Sequence, residues 1–243
     1  MRFSIRWLVA TSLLASLVAA PTFALEKSVR RFTDSERPDV WRGGTTCSLV
    51  YYNTCTDWIW VWSGWTPADR FGVAFDSCCP LSSQTSVGTT FFYIYTGVPS
   101  GYGFTGSLDV WDADANGCPT GSSLASTAWL PVTGWNSYNF LGTVVPDGTF
   151  AISYTTGATS GSPLAIATDH PDAGPTGGVA CGTCYPIDRV NHTFYWGTPT
   201  TPTCPGSPLN DGVCDAQFIW DVSVGCAVAV EPTTWGSVKN LYR

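Results

Sequence analysis

Between Thr46 and Val228 the chain has no Lys and no Glu. The charged side chains there are thirteen Asp against two Arg, Arg70 and Arg189, a net charge of −11. Asp favours turns and hard-cation coordination, whereas Glu and Lys favour helix surfaces. The same stretch holds all ten Cys and nine of the twelve Trp. It therefore reads as a β-rich, disulfide-stapled, calcium-compatible domain.

The N-terminus fits a secretory signal. Arg2 and Arg6 precede an apolar run from Trp7 to Ala20 that is short for a bilayer span, and small-residue cleavage patterns end at Ala20 and Ala24. Pro21 disfavours the first, so the signal is expected to be 1–24. No later apolar run reaches membrane length, and nothing beyond is expected to span a membrane. Export makes disulfides the expected state of Cys47, Cys55, Cys78, Cys79, Cys118, Cys181, Cys184, Cys204, Cys214 and Cys226. Adjacent Cys78 and Cys79 are expected to take separate partners, because ordinary bridges require particular Cα separations. Cys181 and Cys184 have redox or zinc spacing, but there is neither a βαβ pattern nor a second such pair.

Residues 25–45 mix five positive and four negative side chains without apolar periodicity, which suggests a flexible leader. From 46 to 229 short aromatic and β-branched runs alternate with Gly, Pro, Asn and Ser clusters. Ten segments read as strands: 58–62, 73–75, 89–95, 107–111, 125–130, 138–141, 149–154, 164–167, 192–196 and 218–224. The expectation is all-β, a single antiparallel sandwich of about ten strands with disulfide-stapled loops at 169–191 and 197–215. In 230–243, Trp235, Val238, Leu241 and Tyr242 have turn spacing after Thr233 and Thr234. That tail is either a docked helix or a sorting or anchoring signal, read after export by sorting machinery.

Several motifs occur in a familiar order: Phe71-Gly-Val-Ala-Phe, Thr89-Thr-Phe-Phe-Tyr-Ile-Tyr and Ser107-Leu-Asp-Val-Trp-Asp-Ala-Asp, then Gly121-Ser-Ser-Leu-Ala, Gly134-Trp-Asn-Ser-Tyr and Gly148-Thr-Phe-Ala-Ile-Ser-Tyr. In this order, over roughly 55–170, the chain resembles the jelly-roll-like β-sandwich modules of secreted bacterial surface proteins. The ending from Trp235 to Arg243 is similar in style to their C-terminal sorting tails. The resemblance implies an accessory or surface part, without specifying a ligand.

Two constellations are candidates for binding. Asp112, Asp114 and Asn116 occupy positions 1, 3 and 5 before Gly117, as in the opening of a calcium loop, with Asp109 near. Position 12 is Ser123 rather than Glu, so the choice is a weak structural calcium site or a metal-free Asx turn. Trp58, Trp60 and Trp62 share one strand face, with Trp65 beyond, and are either core or a flat platform for sugar rings.

Catalytic signals are sparse. The only histidines are His170 and His192, and neither a Gly-x-Ser-x-Gly elbow nor a His-Glu-x-x-His helix occurs. An acidic body repels nucleic acid. The reading is therefore a secreted or surface-attached module, not an enzyme, that binds a polysaccharide or surface glycan, with calcium as its one candidate cofactor. The alternatives are a structural surface component without a small ligand and a hydrolase centred on His170 or His192.

Overall fold

The computed structural model describes residues 26–32, 46–80, 83–95, 106–146, 148–157, 165–169, 191–196 and 216–228. The signal segment, most of the leader, His170, both long loops with their four cysteines and the C-terminal tail lie outside these residues.

Twelve strands form two antiparallel sheets. In chain order they are β1 (Glu26–Arg31), β2 (Thr46–Val50), β3 (Trp58–Ser63), β4 (Arg70–Asp76), β5 (Ser83–Tyr95), β6 (Gly106–Ala113), β7 (Pro119–Trp129), β8 (Gly134–Val145), β9 (Thr149–Thr156), β10 (Ala165–Asp169), β11 (Thr193–Trp196) and β12 (Trp220–Val228). The larger sheet runs β1-β3-β10-β5-β12-β2, with β8 on the free side of β5; the smaller runs β11-β4-β9-β6-β7. This is the expected sandwich, and each of the ten sequence-predicted segments falls on a strand.

Alternation explains the core. Phe71, Val73 and Phe75 of β4, Leu108 and Val110 of β6 and Phe150, Ile152 and Tyr154 of β9 point inward. They meet Phe92 and Ile94 of β5 and Trp220, Val222 and Val224 of β12 in one cluster. Trp220 stacks on Phe92, with ring centroids 4.9 Å apart.

The charged leader segment differs from expectation, because Glu26–Arg31 is an edge strand on β3. Val29 packs against the core and Phe32 is buried beside Tyr93 and Trp135. Exposed Lys27, Arg30 and Arg31 give that edge the charge that discourages further strand addition.

Cys47 bonds Cys78 and Cys79 bonds Cys226, so the adjacent pair does take separate partners. Cys55 and Cys118 are disulfide-bonded too. These bridges tie the segment after β4 to β2 and β12.

Candidate functional site

The outer face of the five-stranded sheet carries a polar cluster that joins three strands. Residues that alternate with the core set on β4, β9, β6 and β7 face away from the other sheet. The registers place them in rows: Arg70, Thr155 and Ser107; then Gly72, Ser153, Asp109 and Ser126; then Ala74, Ala151 and Trp111.

Asp109 is 5% exposed and accepts hydrogen bonds from three hydroxyls. Ser107 Oγ and Thr155 Oγ1 donate to its Oδ2 at 2.8 and 3.4 Å, and Ser126 Oγ donates to its Oδ1. Arg70 Nε donates to Thr155 Oγ1 at 2.9 Å. Its guanidinium carbon lies 4.6 Å from the Trp111 ring centroid, within cation–π range. Trp111 Nε1 donates to Ser153 Oγ at 2.8 Å. Burial lowers the Arg70 guanidinium from its ordinary range, while the Asp109 carboxylate pulls it back up. The cluster thus fixes an Arg–Trp stack and a set of oriented hydroxyls on a sheet face. Arg70, Trp111, Ser107 and Thr155 stay partly accessible, and Ser126 is exposed.

The tryptophan platform is corrected by burial. Trp60, Trp62 and Trp65 are in the core, and Trp58 is half-buried. The other face of β3 is covered as well, since Ile59 and Val61 join Phe32, Tyr52 and Ile219 in a second cluster. The indole N–H groups are used internally: Trp62 Nε1 donates to Thr168 Oγ1 and Trp65 Nε1 to the Trp62 carbonyl, both at 2.9 Å. A strand between β1 and β10 with both faces covered presents no stacking surface.

The calcium cage is not assembled by the carboxylates expected to form it. Asp114 Oδ1 accepts the backbone N–H groups of Asn116 and Cys118 at 2.8 and 2.9 Å, closing an Asx turn. Those bonds hold the exposed Asp114 carboxyl below its ordinary range. Asp109 is held by its hydroxyls on the sheet face. Among the described residues, the one group of three ligand-type side chains within 4.8 Å of one another is Cys47, Cys78 and Cys226, all oxidised.

His192 stacks on Tyr51, with centroids 3.6 Å apart and planes 5° apart. A cleft of about 390 Å³ at one end of the sandwich is lined by Asp76, Ser77 and Ser83 among others, and His192 is not in its lining.

Arg70 and Trp111 were missed as site residues by sequence reasoning. The available signal was that Arg70 is one of only two cations in 46–228.

No protein-family model matches this chain, and no curated protein matches it in sequence. Among solved structures, it is similar to the cysteine protease and lectin-like domains of Cwp84, a surface-layer-associated protein of Clostridium difficile. The TM-score is 0.52 and the identity 11%, over 76% of this chain and 36% of that one. The matched part is the lectin-like domain, so this chain spans little more than a third of that protein. Clostridial Cwp84 after propeptide cleavage gives a TM-score of 0.47 at 11% identity, over 66% of this chain and 36% of that one. The enzymatically active domain of bacteriophage CBA120 tailspike protein 4 gives 0.29 at 16% identity, over 58% and 18%. At 11% identity the likeness to the first of these is one of fold alone.

Proposed function

We propose that this protein is a non-enzymatic glycan-binding module acting outside the cell, with the outer face of the five-stranded sheet as its ligand surface. The observation that carries this reading is the Arg70–Trp111 stack beside a buried, hydroxyl-bonded Asp109. Glycans offer many hydroxyl groups and apolar ring faces. A guanidinium supplies fixed donors, serine and threonine hydroxyls supply both donors and acceptors, and the indole supplies apolar surface. Similarity to a domain described as lectin-like, within a surface-layer-associated protein, supports the same reading and the same location. The disulfides fit an oxidising compartment.

The test is binding of the oxidised protein to a broad polysaccharide panel, alongside Trp111→Ala and Arg70→Gln variants shown to remain folded by circular dichroism. Selective binding lost in both variants supports the reading. Binding unchanged in both removes this face as the ligand surface.

A second reading, a structural surface component, has one observation in its favour. Leu124, Leu130, Val132, Leu141 and Val144 are exposed along β7, β8 and their connection. Leu141 is 89% exposed and has a φ of 55°. Concentration-dependent association that Leu141→Ser abolishes, without any glycan binding, would favour this alternative.

A further inference from the structure

The cleft at the end of the sandwich lies where the end of β4 and the start of β5 meet the residues that flank the β8–β9 turn, with Asp76 and Thr149 one register row beyond Ala74, Ala151 and Trp111. We infer that it is a binding pocket for a neutral monosaccharide unit, such as the end of a glycan chain. Its volume, about 390 Å³, is of the size that small-ligand pockets have.

The lining determines the class of ligand. Among the described residues that line it, the one charged side chain is Asp76, which is exposed, so an anion meets repulsion there. Hydroxyls make up the remaining polar side chains. Ser77 Oγ lies 2.7 Å from Thr85 Oγ1, and Thr149 Oγ1 donates to Asp76 Oδ1 at 3.4 Å. An ionised carboxylate only accepts, with room for several donors, so Asp76 suits two adjacent ring hydroxyls of a sugar. The flanking serine and threonine hydroxyls both donate and accept, matching a polyol. Pro80 and Pro146 add aliphatic surface for the ring's C–H face.

The pocket is also built to stay in place. Between the lining residues Ser77 and Pro80, Cys78 is bonded to Cys47 on β2 and Cys79 to Cys226 on β12. Ser77 N–H donates to the Gly148 carbonyl at 2.8 Å, joining the two walls, and Cys79 N–H donates to Ser77 Oγ at 3.0 Å, fixing the first wall's turn. Such preorganisation reduces the ordering cost of binding a small ligand.

The experiment is an amide NMR titration of the oxidised full chain with methyl glycosides of glucose, galactose, mannose and xylose, and with n-butylammonium as a cationic probe. Shifts from at least one glycoside are expected to centre on Ser77, Thr85, Gly148 and Thr149. Asp76→Asn is expected to weaken that binding by about tenfold or more, the effect of losing hydrogen bonds to a charged acceptor. Thr149→Val should weaken it less, and both amide spectra report folding directly. Shifts centred instead on Arg70, Ser107 and Ser126 would place the glycoside on the sheet-face cluster and overturn the assignment. Absence of glycoside shifts at those residues, undiminished binding in Asp76→Asn, or a response to n-butylammonium alone would overturn the assignment.

Discussion

Asp109 on β6 and Ser126 on β7 are directly paired across the sheet, and the serine hydroxyl donates to the buried carboxylate. With Ser107 and Thr155 the carboxylate collects three hydroxyl donors from three strands. A buried carboxylate with this many donors aligns the hydroxyls around it, leaving their lone pairs directed elsewhere. Asp109 is therefore a positioning residue for the face on which Arg70 and Trp111 lie.

Replacing Asp109 with Ala strands those donors and leaves the half-buried Arg70 without its neighbouring negative charge. The expected cost is about 2–3 kcal/mol, against ~1 kcal/mol for Asp109→Asn, which keeps the shape and an acceptor oxygen. Urea unfolding monitored by tryptophan fluorescence measures both. Equal midpoints for wild type and Asp109→Ala would show that the cluster contributes nothing to the fold.

Calcium provides a second check on the Asp112 loop, where Asp114 closes its own turn. A site saturated to a hundred times its dissociation constant would add about 2.7 kcal/mol. In a domain of this size that raises the melting temperature by roughly 5–10 °C. The geometry predicts no such rise when chelator is replaced by millimolar calcium. A rise of that size would mean that Asp109, Asp112, Asp114 and Asn116 regroup around the ion.

Much of the fold was legible because aromatic and β-branched runs mark buried strands whatever their topology. β1 escaped because an edge strand carries charge for its own protection, and its two anchors, Val29 and Phe32, are too few to show a period. β5 is longer than its aromatic half suggested because Ser83–Gly88 is small and polar and pairs on both sides with β8 and β12. Alternation separated Trp60 and Trp62 from Ile59 and Val61 correctly, yet parity alone does not say whether both faces are covered. The sheet-face cluster joins residues 70, 107, 109, 111, 126, 153 and 155 through strand register. No local spacing announces such a site.

Three tyrosines make the protein sensitive to alkali. Burial raises the phenol of Tyr154 far above its ordinary value, and raises those of Tyr51 and Tyr195 as well. In the unfolded chain these phenols ionise near pH 10. The folded state therefore binds more protons above that pH, and stability falls as pH rises through the folded values. The melting temperature should hold steady up to about pH 9 and decline beyond about pH 10. Tyr154→Phe should flatten that decline. An unaltered alkaline limb in the variant would show that Tyr154 does not contribute to it.

Gly72 lets β11 close against the outer face of the five-stranded sheet. A Cβ there would collide with the Ile152 carbonyl oxygen and with the Phe194 ring, which lies directly on the glycine. Phe194 is buried in the cluster that also supports Trp111. Gly72→Ala must therefore displace the Phe194 ring and also shift the Ile152 carbonyl of β9, at an overpacking cost of about 1–3 kcal/mol. Because the displaced ring packs in Trp111's own cluster, glycan binding should weaken together with stability. Adding Phe194→Leu removes part of the clash and should recover some of both losses, whereas additive losses in the double variant would mean that the two residues act separately. Gly121→Ala is the control: its Cβ meets no atom within 4 Å, but φ is 63°, so any cost there is backbone strain alone. A Gly72→Ala protein as stable as wild type would show that β11 is free to move away from the sheet.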